Sequence, residues 1–116
     1  MSYEDTSFQL ILHGGNARGE AYEALDAAEA FDFELAEKHL EAAEKEFVEG
    51  HKWQTKLIQR DNKEDEPNFL MIHAQDHLMT AQAELNLIKR QIESYRLIKK
   101  MEQRIAVLEK HCAAEK

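Results

Sequence analysis

The sequence predicts an all-α protein, a three-helix antiparallel bundle whose third helix is extended at its C-terminal end. Three observations carry that prediction. Apolar residues recur at spacings of three and four along most of the chain, the period of a helix with one buried face. Only one Pro and four Gly interrupt 116 residues. One strongly charged run, Arg60-Asp-Asn-Lys-Glu-Asp-Glu66, separates two long periodic stretches. A chain of this length forms a single domain, 1–116, with a core of about 7–100 and a helical extension over 101–116. Such a domain buries about two-thirds of the surface its unfolded chain exposes.

The first helix spans about Ser7 to Ala30, with Phe8, Ile11, Leu12, Tyr22, Leu25 and Ala28 as a broken apolar face. Gly14-Gly15 and Gly19 interrupt it, each costing about 1 kcal/mol relative to Ala inside a helix. Two readings follow: a loop with the helix starting near Asn16, or close backbone approach to a neighbouring helix or a phosphate group. The second helix is clearer. Asp32 caps it, Glu34 and Glu37 suit its N-terminal end, and Phe33, Ala36, Leu40, Ala43, Phe47, Gly50, Gln54 and Leu57 form its seam. The charged run ends it, and Pro67 suits the first turn of the next helix.

The third helix runs from near Pro67 past Glu109, with the seam Leu78, Ala81, Leu85, Ile88, Ile92 and Tyr95. At about 100° per residue, His73, Asp76 and Thr80 lie nearly opposite that seam. Phe69, Ile72, Ala83 and Leu87 share this outer side. Two apolar faces on one helix imply a partner chain over the second, hence a homo-oligomer with the His/Asp cluster at or near a subunit contact. Beyond Tyr95 the seam shifts to Ile98, Met101, Ile105, Leu108 and Cys112, a stammer-like change of register. The last segment reads either as a short coiled-coil extension of the oligomer or as a frayed tail.

Composition narrows the function classes. The net charge of −8 argues against nucleic-acid binding, which recruits Lys and Arg. Residues 1–83 hold 18 acids and 7 bases, whereas 84–116 hold 5 acids and 8 bases. That asymmetry reads as an acidic solvated face beside a basic one, or as an acidic docking surface for a basic protein. No apolar run approaches the ~20 residues of a membrane span, and no signal peptide is expected. The single Cys112 excludes an internal disulfide and suits the cytoplasm.

The chemistry concentrates in His73-Ala-Gln-Asp-His-Leu-Met-Thr80. Spacings of three and four bring His73, Asp76 and His77 to one side of about one turn. Imidazole near neutral pH is a nucleophile, a proton carrier or a metal ligand. One reading is therefore a metal-binding helical bundle using His73, Asp76 and His77, although no Glu-x-x-His motif completes a di-metal site. Another is a structural oligomerisation module without chemistry. His51 either packs beside the second seam or takes a functional part. His13, His39 and His111 read as surface residues, and Trp53 as an amphipathic one.

The same octapeptide resembles the active-site signature of the enzyme IIA subunit in the lactose/cellobiose branch of the phosphoenolpyruvate-dependent sugar phosphotransferase system. Gly15-Asn-Ala-Arg18 is similar to that family's Gly-x-Ala-Arg, and His51 with Gln54-Thr55 to its His-x-x-Gln-Thr. The three blocks stand in the family's order between about Phe8 and Lys100, and 101–116 runs longer than the usual family terminus. The resemblance implies a cytoplasmic phosphocarrier. His73 would accept a phosphoryl group from the histidine-containing carrier protein and pass it to a cysteine of the cognate IIB component, during uptake of a β-linked disaccharide through the membrane component IIC. It implies a nine-helix homotrimer with Asp76 on the three-fold axis, where three copies hold one divalent cation, Mg²⁺ by expectation. Gln75 and His77 would donate hydrogen bonds to the phosphoryl oxygens.

Overall fold

The structure, a computed structural model, describes residues 2–60 and 68–115. Three helices account for nearly all of them: α1 (Tyr3–Glu29), α2 (Phe33–Ile58) and α3 (Phe69–Ala114). Helix α1 starts earlier than periodicity predicts, because Ser2 and Asp5 form a capping box that satisfies two otherwise orphaned amides. It then runs unbroken through Gly14, Gly15 and Gly19. The loop reading of those glycines is therefore wrong, and close approach is the correct reading for one of them, as described below.

A tight turn joins α1 to α2. The amides of Phe31 and Asp32 donate to the carbonyls of Ala28 and Ala27, both at 2.9 Å, the double bond of a Schellman motif. Phe31 takes the left-handed position usual for Gly, at φ 62°. Its ring lies near that of Phe33 and under the Lys99 ammonium. Asp32 then caps α2 as predicted, its carboxylate accepting from the Leu35 amide. The expected Pro67 start of the third helix lies outside the described residues, as does the charged run after Arg60. Asn68 caps α3, its side-chain oxygen accepting from the Met71 amide at 2.9 Å.

Helix α1 lies between the other two and packs along both, whereas α2 and α3 meet little. Its inner positions are small: Ala17, Ala21, Ala24 and Ala28 are all fully buried. Small side chains allow neighbouring helix axes to come close. One core cluster joins Ala21, Ala24 and Ala28 to Leu40, Ala43, Leu85, Ile88 and Ile92. A second joins Leu10 and Ala17 to Phe47, Leu57, Met71, Ala74 and Leu78. The predicted seams of α2 and α3 are thus the buried ones, whereas the face predicted for α1 is not: Phe8, Leu12 and Tyr22 are exposed, because the small residues Ala17, Ala21 and Ala24 take the inner side. The outer stripe of α3 is exposed, with Phe69 91 % and Leu87 64 % accessible, and Phe8 and Leu12 of α1 add to the apolar surface. The long α3 stretches the molecule to 79 × 19 × 16 Å, and every described residue after Lys99 is exposed.

Candidate functional site

The site lies on α3 above the second core cluster, where Leu78 is fully buried and fixes the rotation of the helix. Two glycines let the other helices close on this turn. A Cβ on Gly14 would stand 3.2 Å from the backbone carbon and oxygen of His77. A Cβ on Gly50 would meet Cδ1 of Leu78 at 2.7 Å and Cβ of His13 at 3.4 Å. Helices α1 and α2 thus approach the same turn of α3 through positions where even a methyl group would be crowded.

With the helix held, His73 and His77 project outward one turn apart. Their Nε2 atoms lie 3.0 Å from one another, and their rings meet edge to face with centroids 4.5 Å apart. In a neutral pair one Nε2 carries the shared proton and the other presents its lone pair. When His77 holds the proton, the lone pair of His73 faces a donor that can turn to an incoming oxyanion. His73 is exposed and His77 half-buried, so the pair is reachable by a large partner.

Asp76 sits on the exposed apolar stripe between Ile72 and Ala83. Its backbone carbonyl accepts from the Thr80 hydroxyl at 2.7 Å, and its carboxylate has no hydrogen-bond or ion-pair partner among the described residues. Gln75 is placed differently from the phosphoryl-donor expectation. It lies about 200° round the helix from His73, and its Oε1 accepts from the Gln54 amide of α2 at 2.6 Å. Within one chain it ties α2 to α3 and is not beside His73.

Arg18 gains a part that the sequence reading left unassigned. Its Nε donates to Glu84 at 2.6 Å and its guanidinium NH2 to the Thr80 hydroxyl at 2.5 Å. A polar chain therefore runs from α1 through Arg18 and Thr80 to the Asp76 carbonyl. The signal was the Gly-x-Ala-Arg block, whose Arg follows the close-approach glycine by one helical turn. His51 lies tilted against Phe47, with centroids 4.6 Å apart. His13 and His39, read as surface residues, are half-buried and tie α1 to α2 through Glu46 and Glu20, each at 2.7 Å. Among the described residues, no group of three His, Cys, Asp or Glu side chains could hold a metal ion. The single-chain metal site of His73, Asp76 and His77 is therefore not supported.

The three-helix bundle is that of solved IIA subunits of a sugar phosphotransferase system. The chain belongs to the lactose/cellobiose-specific IIA family of the sugar phosphotransferase system, whose family model matches residues 5–96. It is 45 % identical over 97 residues to the lichenan-specific phosphotransferase enzyme IIA component of Bacillus subtilis, covering 82 % of this chain and 88 % of that one. The cellobiose-specific enzyme IIA of Bacillus anthracis superposes with a TM-score of 0.79 at 37 % identity, covering 86 % of this chain and 94 % of that one. The N,N'-diacetylchitobiose IIA of Escherichia coli, solved in complex with HPr, does so with a TM-score of 0.77 at 35 % identity, covering 85 % and 98 %. The matched segment holds every residue of the site described above. No helix among the described residues is long and apolar enough to cross a membrane.

Proposed function

We propose that this chain is a cytoplasmic phosphocarrier that accepts a phosphoryl group on His73 from the phosphorylated carrier HPr. It then passes the group to a cysteine of a IIB component during uptake of a β-linked disaccharide through a membrane IIC component. The observation that carries the reading is the exposed His73–His77 pair on a rigidly held turn, in a chain whose relative was solved bound to HPr. Phosphoryl transfer depends on positioning and charge stabilisation. Unprotonated Nε2 of His73 attacks phosphorus, the bond from phosphorus to the donor's nitrogen breaks, and the electron pair returns to the donor imidazole. His77 donates its Nε2 proton in a hydrogen bond to a phosphoryl oxygen. Return transfer to a thiolate breaks the new bond in the same way, so an accessible site suits both partners.

The exposed stripe around Asp76 supports a subunit contact, and the family resemblance makes the assembly a homotrimer, in which α3 of each chain lines a shared axis. Asp76 from three chains would hold one divalent cation, Mg²⁺ by its preference for carboxylate oxygens. The chemistry of the residue fits. Its carboxylate has no protein counter-charge among the described residues, and three such groups around an axis would repel without one. The cation would supply charge neutralisation at the axis, while His73 keeps its nitrogen for phosphorus.

Intact-protein mass with phosphoenolpyruvate, enzyme I and HPr tests the reading. Wild type gains one acid-labile phosphoryl group and His73→Ala gains none, whereas an equal gain in both variants, or no gain in oligomeric wild type, refutes it.

A further inference from the structure

Helix α3 continues from Arg96, where the family match ends, to Ala114. Contacts with the rest of the bundle reach only to Lys99, which lies over Phe31; beyond it none supports that length among the described residues. All residues from Lys100 to Glu115 are exposed, and the ion pairs there, Lys99–Glu102 and His111–Glu115, lie within the helix itself. An isolated helix of this size is marginal in water, so its stability has to come from packing.

The residues specify what packs. Ile98, Met101, Ile105, Leu108 and Cys112 follow spacings of three and four, and the four larger ones stand 46 to 59 % exposed. Counted at about 100° per residue, all five fall within about 40° of the Asp76 direction and face away from the bundle seam. The stripe of the extension therefore continues the stripe that carries Asp76, Ala83 and Leu87. It is narrow, as in a coiled-coil seam, and unlike the broad face of a helix lying on lipid. With Ile98, Ile105 and Cys112 at a and Met101 and Leu108 at d, Glu102 and Glu109 occupy e, and Arg104 and His111 occupy g. In a parallel, in-register pairing Arg104 reaches Glu109 of the partner subunit. Antiparallel pairing would instead bring acid to acid and base to base.

We infer that residues 98–112 form a parallel, in-register coiled coil with the same segment of further copies of this chain, extending the subunit contact beyond the body of the bundle. This rests on the trimer reading for the number of strands. Ile at a with Leu at d by itself favours two, and a seam of about two heptads follows the stoichiometry of the helices that lead into it.

Cys112 reports on the arrangement. The full chain is oxidised by dioxygen with copper phenanthroline, two thiols yielding one disulfide, and followed on non-reducing gels beside sedimentation and the phosphorylation assay. Linked dimers are expected at a rate unchanged by tenfold dilution, absent in Cys112→Ser. Linking should slow at least tenfold in Ile105→Asp, which still sediments as a trimer and still phosphorylates His73. A trimeric, phosphorylatable wild type that links no faster than Ile105→Asp overturns the coiled coil and leaves the trimer standing. A wild type that sediments as a monomer overturns both.

Discussion

Replacing Gly14 by Ala tests whether the site turn is held by backbone contact. The added methyl would stand 3.2 Å from the His77 carbon and oxygen and 3.3 Å from the Leu78 amide nitrogen, all backbone atoms of α3. Overpacking of this kind costs about 1–3 kcal/mol, and Ala returns about 1 kcal/mol of helix propensity. Because the atoms met are backbone, which cannot turn aside as a side chain can, the cost falls in the upper part of that range and the net loss is about 1–2 kcal/mol. For a chain of this size that lowers Tm by about 4–10 °C. Gly19→Ala is the control. Nothing lies within 4 Å of the Cβ it would add, so propensity alone should raise stability by about 1 kcal/mol. Thermal melts by circular dichroism at matched concentration read both. A Gly14→Ala protein as stable as wild type would refute the close-approach argument. Loss of stability in Gly19→Ala together with subunit dissociation would place the outer face of α1 in the subunit contact.

Leu78→Ala removes a fully buried side chain and should cost about 3–5 kcal/mol, read by denaturant unfolding; a loss below about 1 kcal/mol would mean the core relaxes around the gap. Arg18→Met cuts the links to Glu84 and Thr80. Because the ion pair is about one-third exposed, its stability loss should stay near or below about 1 kcal/mol. Its phosphohistidine formation should slow severalfold, and an unchanged rate would remove Arg18 from positioning. Asp76→Asn should abolish one divalent ion per three chains in elemental analysis of the dialysed protein, and chelator should lower Tm in wild type only. Equal metal content in both proteins would move the cation elsewhere. His77→Ala should retain phosphorylation on His73 at a rate at least tenfold lower, whereas wild-type kinetics would deny it a donor's part.

The sequence disclosed the features that depend on a repeating pattern. The α2 seam from Ala36 to Leu57 and the α3 seam from Leu78 to Ile92 are buried as the spacing requires. The outer stripe of α3 follows from the same count. Features fixed by a single contact between helices were harder to see. Gly14, Gly15 and Gly19 look alike in sequence, yet only Gly14 meets another helix within 4 Å. The start of α1 was missed because its capping box uses Asp5 where Glu or Gln is usual. Gln75 shares the motif with His73 but faces α2, as its position on the helical wheel required. The tie from Arg18 to Thr80 spans 62 positions and exists only once α1 and α3 are side by side.

The central place of α1 bears on how the chain assembles as it is made. Helices α1 and α2 are neighbours in sequence and in space, so they can pair as a hairpin while later residues are still being added, in keeping with N-terminal-first folding during synthesis. Helix α3 needs α1 to dock on and gains little from α2 alone. It carries the His73–His77 pair, the Asp76 stripe and the extension. The paired histidines and the outer stripe that would meet another subunit therefore arrive together, only when the last helix emerges and covers α1.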